Sequence, residues 1–81
     1  MNNAIFHYWL ISMTTDKRIV AFGRRVREVR KAKGISQEKL AELAGIDRSY
    51  MGNIERGEKN VTLKKVYEIC DALEIEITDL V

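Results

Sequence analysis

An all-α fold is predicted by three observations. Apolar residues recur at three- and four-residue spacing from Lys17 onward. The chain contains no proline. Glycines followed within a few residues by Ser, Asp or Thr break the periodic pattern into short segments, the punctuation of helix ends and new helix starts. The architecture expected is a compact five-helix domain over residues 16–81, preceded by a short apolar extension over residues 1–15.

The extension, "MNNAIFHYWLISMTT", is apolar and aromatic without a helical stripe or strict alternation. It reads as a translational extension, a tag remnant or an interface arm. Its apolar run "AIFHYWLI" is too short to span a membrane and has no basic residue before it. Thr14, Thr15 and Asp16 are good N-cap types, so the domain starts there. Helix 1 is expected from Lys17 to Lys33, with Ile19, Val20, Phe22, Val26, Val29 and Arg30 on its inner face and Gly34 ending it. Ser36 caps helix 2, whose stripe is Leu40, Ala41, Leu43 and Ala44, and Gly45 closes it. Asp47 caps helix 3, Arg48 to Arg56, with Met51 and Ile54 inward and Gly57 as the stop. Thr62 caps helix 4, whose face is Leu63, Val66, Ile69, Cys70 and Leu73, and a last short turn begins at Thr78.

Size and composition narrow the function classes. At 81 residues, 46% of them apolar and 32% charged, the chain suits one ordered domain of modest stability, for which dimerisation is a natural support. One cysteine, Cys70, forms no internal disulfide, and with the single His7 it supplies too few ligands for a metal site, so no cofactor is expected and a cytoplasmic home is. Net charge is only +2, but eight bases from Lys17 to Lys33 face one acid, Glu28, whereas Glu68, Asp71, Glu74, Glu76 and Asp79 close the chain without a base. One basic end suits a polyanion, although such runs are more often solvated helix faces. No nucleophile–base pair, paired carboxylates or phosphate loop appears, so an enzyme is not expected.

Two short helices joined by a tight glycine turn cross at a large angle, and the second can then enter the DNA major groove. Ala41 lets helix 3 approach, Gly45 supplies a left-handed turn, and Ile46 and Ile54 anchor helix 3. Its outward positions are expected to be Arg48, Ser49, Gly52 and Asn53, where Arg suits guanine, Asn suits adenine and Ser is adaptable.

The segment "RVREVRKAKGISQEKLAELAGIDRSYMGNIERG" resembles the lambda-repressor-like (Cro/XRE) helix-turn-helix family, and the likeness extends through "TLKKVYEICDALEIEITDL". It rests on the spacing of Gln37, Ala41, Gly45, Ile54, Glu55 and Gly57. Within the family, "DRSYMGNIERGEKNVTL" is similar to restriction-modification controller proteins, a pattern shared by prophage repressors and antitoxins. The resemblance implies a transcriptional regulator that binds a two-fold symmetric double-stranded DNA operator as a homodimer, with RNA polymerase as a further partner. The alternative is a prophage-type repressor, or an antitoxin acting mainly as a protein-binding module. By position, it implies phosphate contact at Gln37 beside Ser36, base reading at Arg48, Ser49 and Asn53, and backbone contact at Tyr50, Arg56, Lys59 and Asn60. Packing on the helix 2 to helix 3 corner is the other role open to Tyr50. The resemblance also implies a structural salt bridge between Arg30 and Glu55, and protomer pairing through Ile75, Ile77, Leu80 and Val81.

Overall fold

The computed structural model describes residues 16–81; the expected extension over residues 1–15, with His7 and the "AIFHYWLI" run, lies outside them. The described residues form four α-helices, α1 (Lys17–Ala32), α2 (Gln37–Ala44), α3 (Arg48–Glu55) and α4 (Leu63–Leu73), then one 3-10 turn (Ile77–Asp79), with no strand among them.

Local chemistry explains where each helix starts and stops. Side-chain oxygens of Asp16, Ser36, Asp47 and Thr62 accept from the amides of Arg18, Lys39, Ser49 and Lys65 at 2.8, 3.0, 3.1 and 3.2 Å. Each satisfies one amide that the first helical turn leaves without a partner. All four helices end alike: a residue one or two positions past the helix takes the left-handed conformation, and paired amides fold back onto the last turn. Gly34, Gly45 and Gly57 fill three of these positions and Glu74, at φ 57°, fills the fourth.

The core sits where α2 packs against α3 and α4 and α1 lies across α3. Val26, Leu40, Met51, Ile54, Ile69 and Leu73 are the largest side chains with essentially no exposure. Small residues set the crossings. Ala41, 2% exposed, lies between α2 and its neighbours, and a Cβ at Gly23 would overlap the Ile54 carbonyl and lie 2.9 Å from that of Glu55. Helix α1 therefore rests directly on the end of α3.

Three expectations are corrected. The fifth helix is only the 3-10 turn, because the Asp79 side chain accepts from the Glu76 amide and the Asp79 carbonyl accepts from Arg25 Nε at 2.7 Å, closing the turn on itself and pinning it to α1. Leu80, expected at a partner interface, is instead 4% exposed within the protomer's own core. Leu43 and Leu63 are 50% and 62% exposed rather than inward. Leu43 lies about 100° round α2 from the buried Ala44, and Leu63 is the first residue of α4.

Candidate nucleic-acid interface

The break between α2 and α3 has a definite geometry. Gly45 sits at φ 67°, ψ 32°. Its amide donates to Glu42 O at 3.2 Å, and that of Ile46 to Ala41 O at 2.9 Å. A side chain is strained in that conformation although nothing crowds the site, so the glycine is there for its backbone freedom. Two residues later Asp47 caps α3 in the new direction, while Ile46, 7% exposed, anchors the corner.

Behind α3 lies a buried ion pair. Arg30 of α1 donates from Nε to Glu55 Oε2 at 2.7 Å and from Nη2 to Oε1 at 2.9 Å, a parallel two-bond contact. Its Nη1 donates to the Ile35 carbonyl at 2.9 Å. Gln37, the first residue of α2, donates from Nε2 to Glu55 Oε1 at 3.1 Å. Burying two charges is costly, and the cost is offset here because each charged group is bonded on several sides. The Glu55 carboxylate thereby ties α1 and the start of α2 to the end of α3, and Arg30 adds the loop before α2.

The outer face of α3 is built differently. Arg48 and Ser49 are exposed and Asn53 is half-buried. Arg48 Nη1 lies 3.5 Å from Glu38 Oε2, a solvent-facing pair between α3 and the first turn of α2. Gly52 is buried, which corrects its expected outward placement: a Cβ there would lie 3.1 Å from Arg56 Nη1 and 3.4 Å from Gln37 Oε1. The missing side chain is the space in which those two polar groups sit. Arg56 donates from Nε to Glu58 Oε2 at 2.9 Å and from Nη2 to Asn53 Oδ1.

Together these groups border a cleft of about 390 Å³ lined by Arg27, Arg30, Gln37, Glu55 and Arg56. Arg27 was not among the expected site residues; its signal was its position one turn before Arg30 on the same helix. Arg30 is paired with Glu55 and Arg56 with Glu58, so Arg27 is the one lining cation without a carboxylate partner among the described residues. Ser36 is committed to capping α2. Tyr50 is half-buried against the core at the α2–α3 corner. Lys59 is exposed after α3. Asn60 stands apart, lining a second cleft with Asp16, Arg18, Ile19, Phe22, Val61 and Val66. At the C-terminal edge Ile75 and Ile77 are partly buried against the core, while Val81 is 80% exposed. Cys70 is buried; desolvation pushes its thiol up, and Asp71, Asp79 and Glu76 add to the shift, so it packs as an inert apolar group. No helix among the described residues is long and apolar enough to cross a membrane.

Comparison with known proteins agrees with this geometry. A family model described as helix-turn-helix matches residues 26–80. Control protein C.BamHI of Bacillus amyloliquefaciens is 42% identical over 69 residues, which cover 84% of each chain. The crystal structure of the restriction-modification controller protein C.AhdI from Aeromonas hydrophila is 52% identical, with a TM-score of 0.76, covering 78% of this chain and 96% of that one. The structure of C.Esp1396I bound to a 25 base pair operator site is 32% identical, with a TM-score of 0.69, covering 73% and 78% of the two chains.

Proposed function

Since the chain belongs to the helix-turn-helix family, we propose that it is a sequence-specific DNA-binding transcriptional regulator acting on restriction-modification genes. The observation that carries this reading is the two-sided build of α3. Met51, Ile54 and Glu55 fix it from behind, while Arg48 and Ser49 stand exposed in front of it beside the half-buried Asn53.

In this mechanism α3 enters the major groove. Arg48, Ser49 and Asn53 meet base edges, which carry sequence information, while Gln37, Arg56 and Lys59 hold the phosphate backbone, which fixes register. The cleft bordered by Arg27, Gln37 and Arg56 receives a phosphate beside the start of α2. Two protomers pair through the C-terminal edge, where Ile75, Ile77 and Val81 offer apolar surface, and place their two α3 helices about 34 Å apart, one turn of DNA. The acidic segment from Glu68 to Asp79 is then kept away from the phosphates. Regulation follows from occupancy: a dimer over the promoter elements blocks RNA polymerase, and one just upstream recruits it.

Selection of binding sites from random duplexes, followed by gel shifts across a salt series, tests the reading. The expected outcome is an enriched sequence with two-fold symmetry and an affinity that falls as salt rises. Lys59→Ala lowers the salt slope by about one and leaves the preferred sequence unchanged. Equal binding to every duplex would sink the reading, leaving a protein-binding module.

A further inference from the structure

Resting on the DNA-binding reading above, we propose that Asn53 reads its base as a hydrogen-bond donor and so selects guanine over adenine, with Arg56 and Glu58 as the residues that set this choice. Asparagine on a recognition helix is ordinarily matched to adenine. Its Oδ1 accepts from the exocyclic N6 amine while Nδ2 donates to N7. That pairing needs the amide oxygen to face the base.

In this protein the oxygen is already engaged. Arg56 Nη2 donates to Asn53 Oδ1 across one turn at the end of α3. Guanidinium nitrogens are donors only, so the contact itself fixes which way the amide points, and the Nδ2 group with its two N–H bonds is turned the other way. Arg56 is in turn held in place. Its Nε donates to Glu58 Oε2 at 2.9 Å, and its Nη1 lies in the space that Gly52 leaves by having no Cβ. One ion pair and one gap thus place the guanidinium, and the guanidinium orients one amide.

The consequence for recognition is electrostatic as well as geometric. An amide oxygen keeps a second lone pair, but an adenine amine approaching it would bring N–H dipoles up to a guanidinium cation. Guanine meets the same site with two adjacent acceptors, O6 and N7, facing the Nδ2 donors, and its O6 is attracted by the cation. Asn53 therefore presents its Nδ2 donors to a purine edge, with the Arg56 cation behind them. Glu58 acts through Arg56 as a positioning residue, without touching the base.

The experiment is site selection from random duplexes with the full chain, carried out for the wild type, Asn53→Ala, Arg56→Met and Glu58→Gln, each first checked for helical content by circular dichroism. The base pair whose preference flattens in Asn53→Ala is the one Asn53 contacts. At that pair the wild type is expected to favour guanine over adenine by about tenfold or more. Replacing that guanine by 7-deazaguanine, which removes the N7 acceptor, should weaken binding several-fold. Arg56→Met frees the amide oxygen and is expected to move the ratio toward adenine; Glu58→Gln, which loosens Arg56 without removing it, moves it the same way by less. Loss of a phosphate contact at Arg56 would weaken all sequences evenly and leave the ratio unchanged. Enrichment of adenine by the wild type, an unchanged ratio in Arg56→Met, or no position flattened by Asn53→Ala would each overturn the proposal. A wild type that enriches no sequence at all would overturn the regulator reading beneath it.

Discussion

Two ion pairs grip α3 from opposite sides, and they have little in common beyond their chemistry. Behind α3, Arg30 and Glu55 meet at 2.7 Å with side chains 9% and 3% exposed. In front of it, Arg48 and Glu38 meet at 3.5 Å with side chains 71% and 68% exposed. Water decides the difference. A buried pair bonded on several sides cannot be broken without stranding a charge, whereas a solvated pair exchanges one set of hydrogen bonds for another at almost no cost. One fastens the helix; the other occupies a side chain that a nucleic acid can claim.

Breaking the rear contact should have the largest effect. Glu55→Ala leaves Arg30 buried with no carboxylate and is expected to cost about 3–5 kcal/mol of stability, read from urea unfolding. A loss below about 1 kcal/mol would show that water reaches Arg30 and would erase the contrast. Gly23→Ala pushes α1 off the end of α3 without touching any charge, and about 3 kcal/mol is expected from the same measurement. If Gly23→Ala proved neutral, the ion pair alone would be holding the crossing. On the front face, Arg48→Ala should leave stability within about 0.5 kcal/mol and instead cost about 1–3 kcal/mol of binding at one operator position. The smallest effect is expected from Glu38→Gln: stability changes by less than about 1 kcal/mol, and operator binding tightens by a few-fold at low salt, a gain that added salt removes.

The sequence made legible what depends on near neighbours. Asp16, Ser36, Asp47 and Thr62 cap helices because a side chain two or three residues away from an unbonded amide needs no tertiary contact. Gly45 announced its left-handed turn for the same reason. Glu74 makes the identical turn after α4 with no glycine to mark it, and only the fold could reveal that. Gly52 was legible as a small residue on a reading helix, but its burial follows from where Gln37 and Arg56 lie once α2 and α3 have crossed. The Arg56 that pairs with Asn53 also pairs with Glu58 beyond the helix end, a contact that only the fold reveals. Leu80 looked like surplus apolar surface because the Arg25 contact that folds it inward spans 54 residues.

The division of α3 into a rear and a front also bears on how such a protein can change. Met51, Gly52, Ile54 and Glu55 are all buried within eight residues, and none of the expected base readers is among them. On the DNA-binding reading proposed above, mutation at Arg48 or Ser49 would rewrite the address that the molecule recognises while the scaffold stays as it is. On that reading, a lineage that must keep its own operator distinct from those of neighbouring systems would have only a few codons to alter, and no repacking to survive on the way.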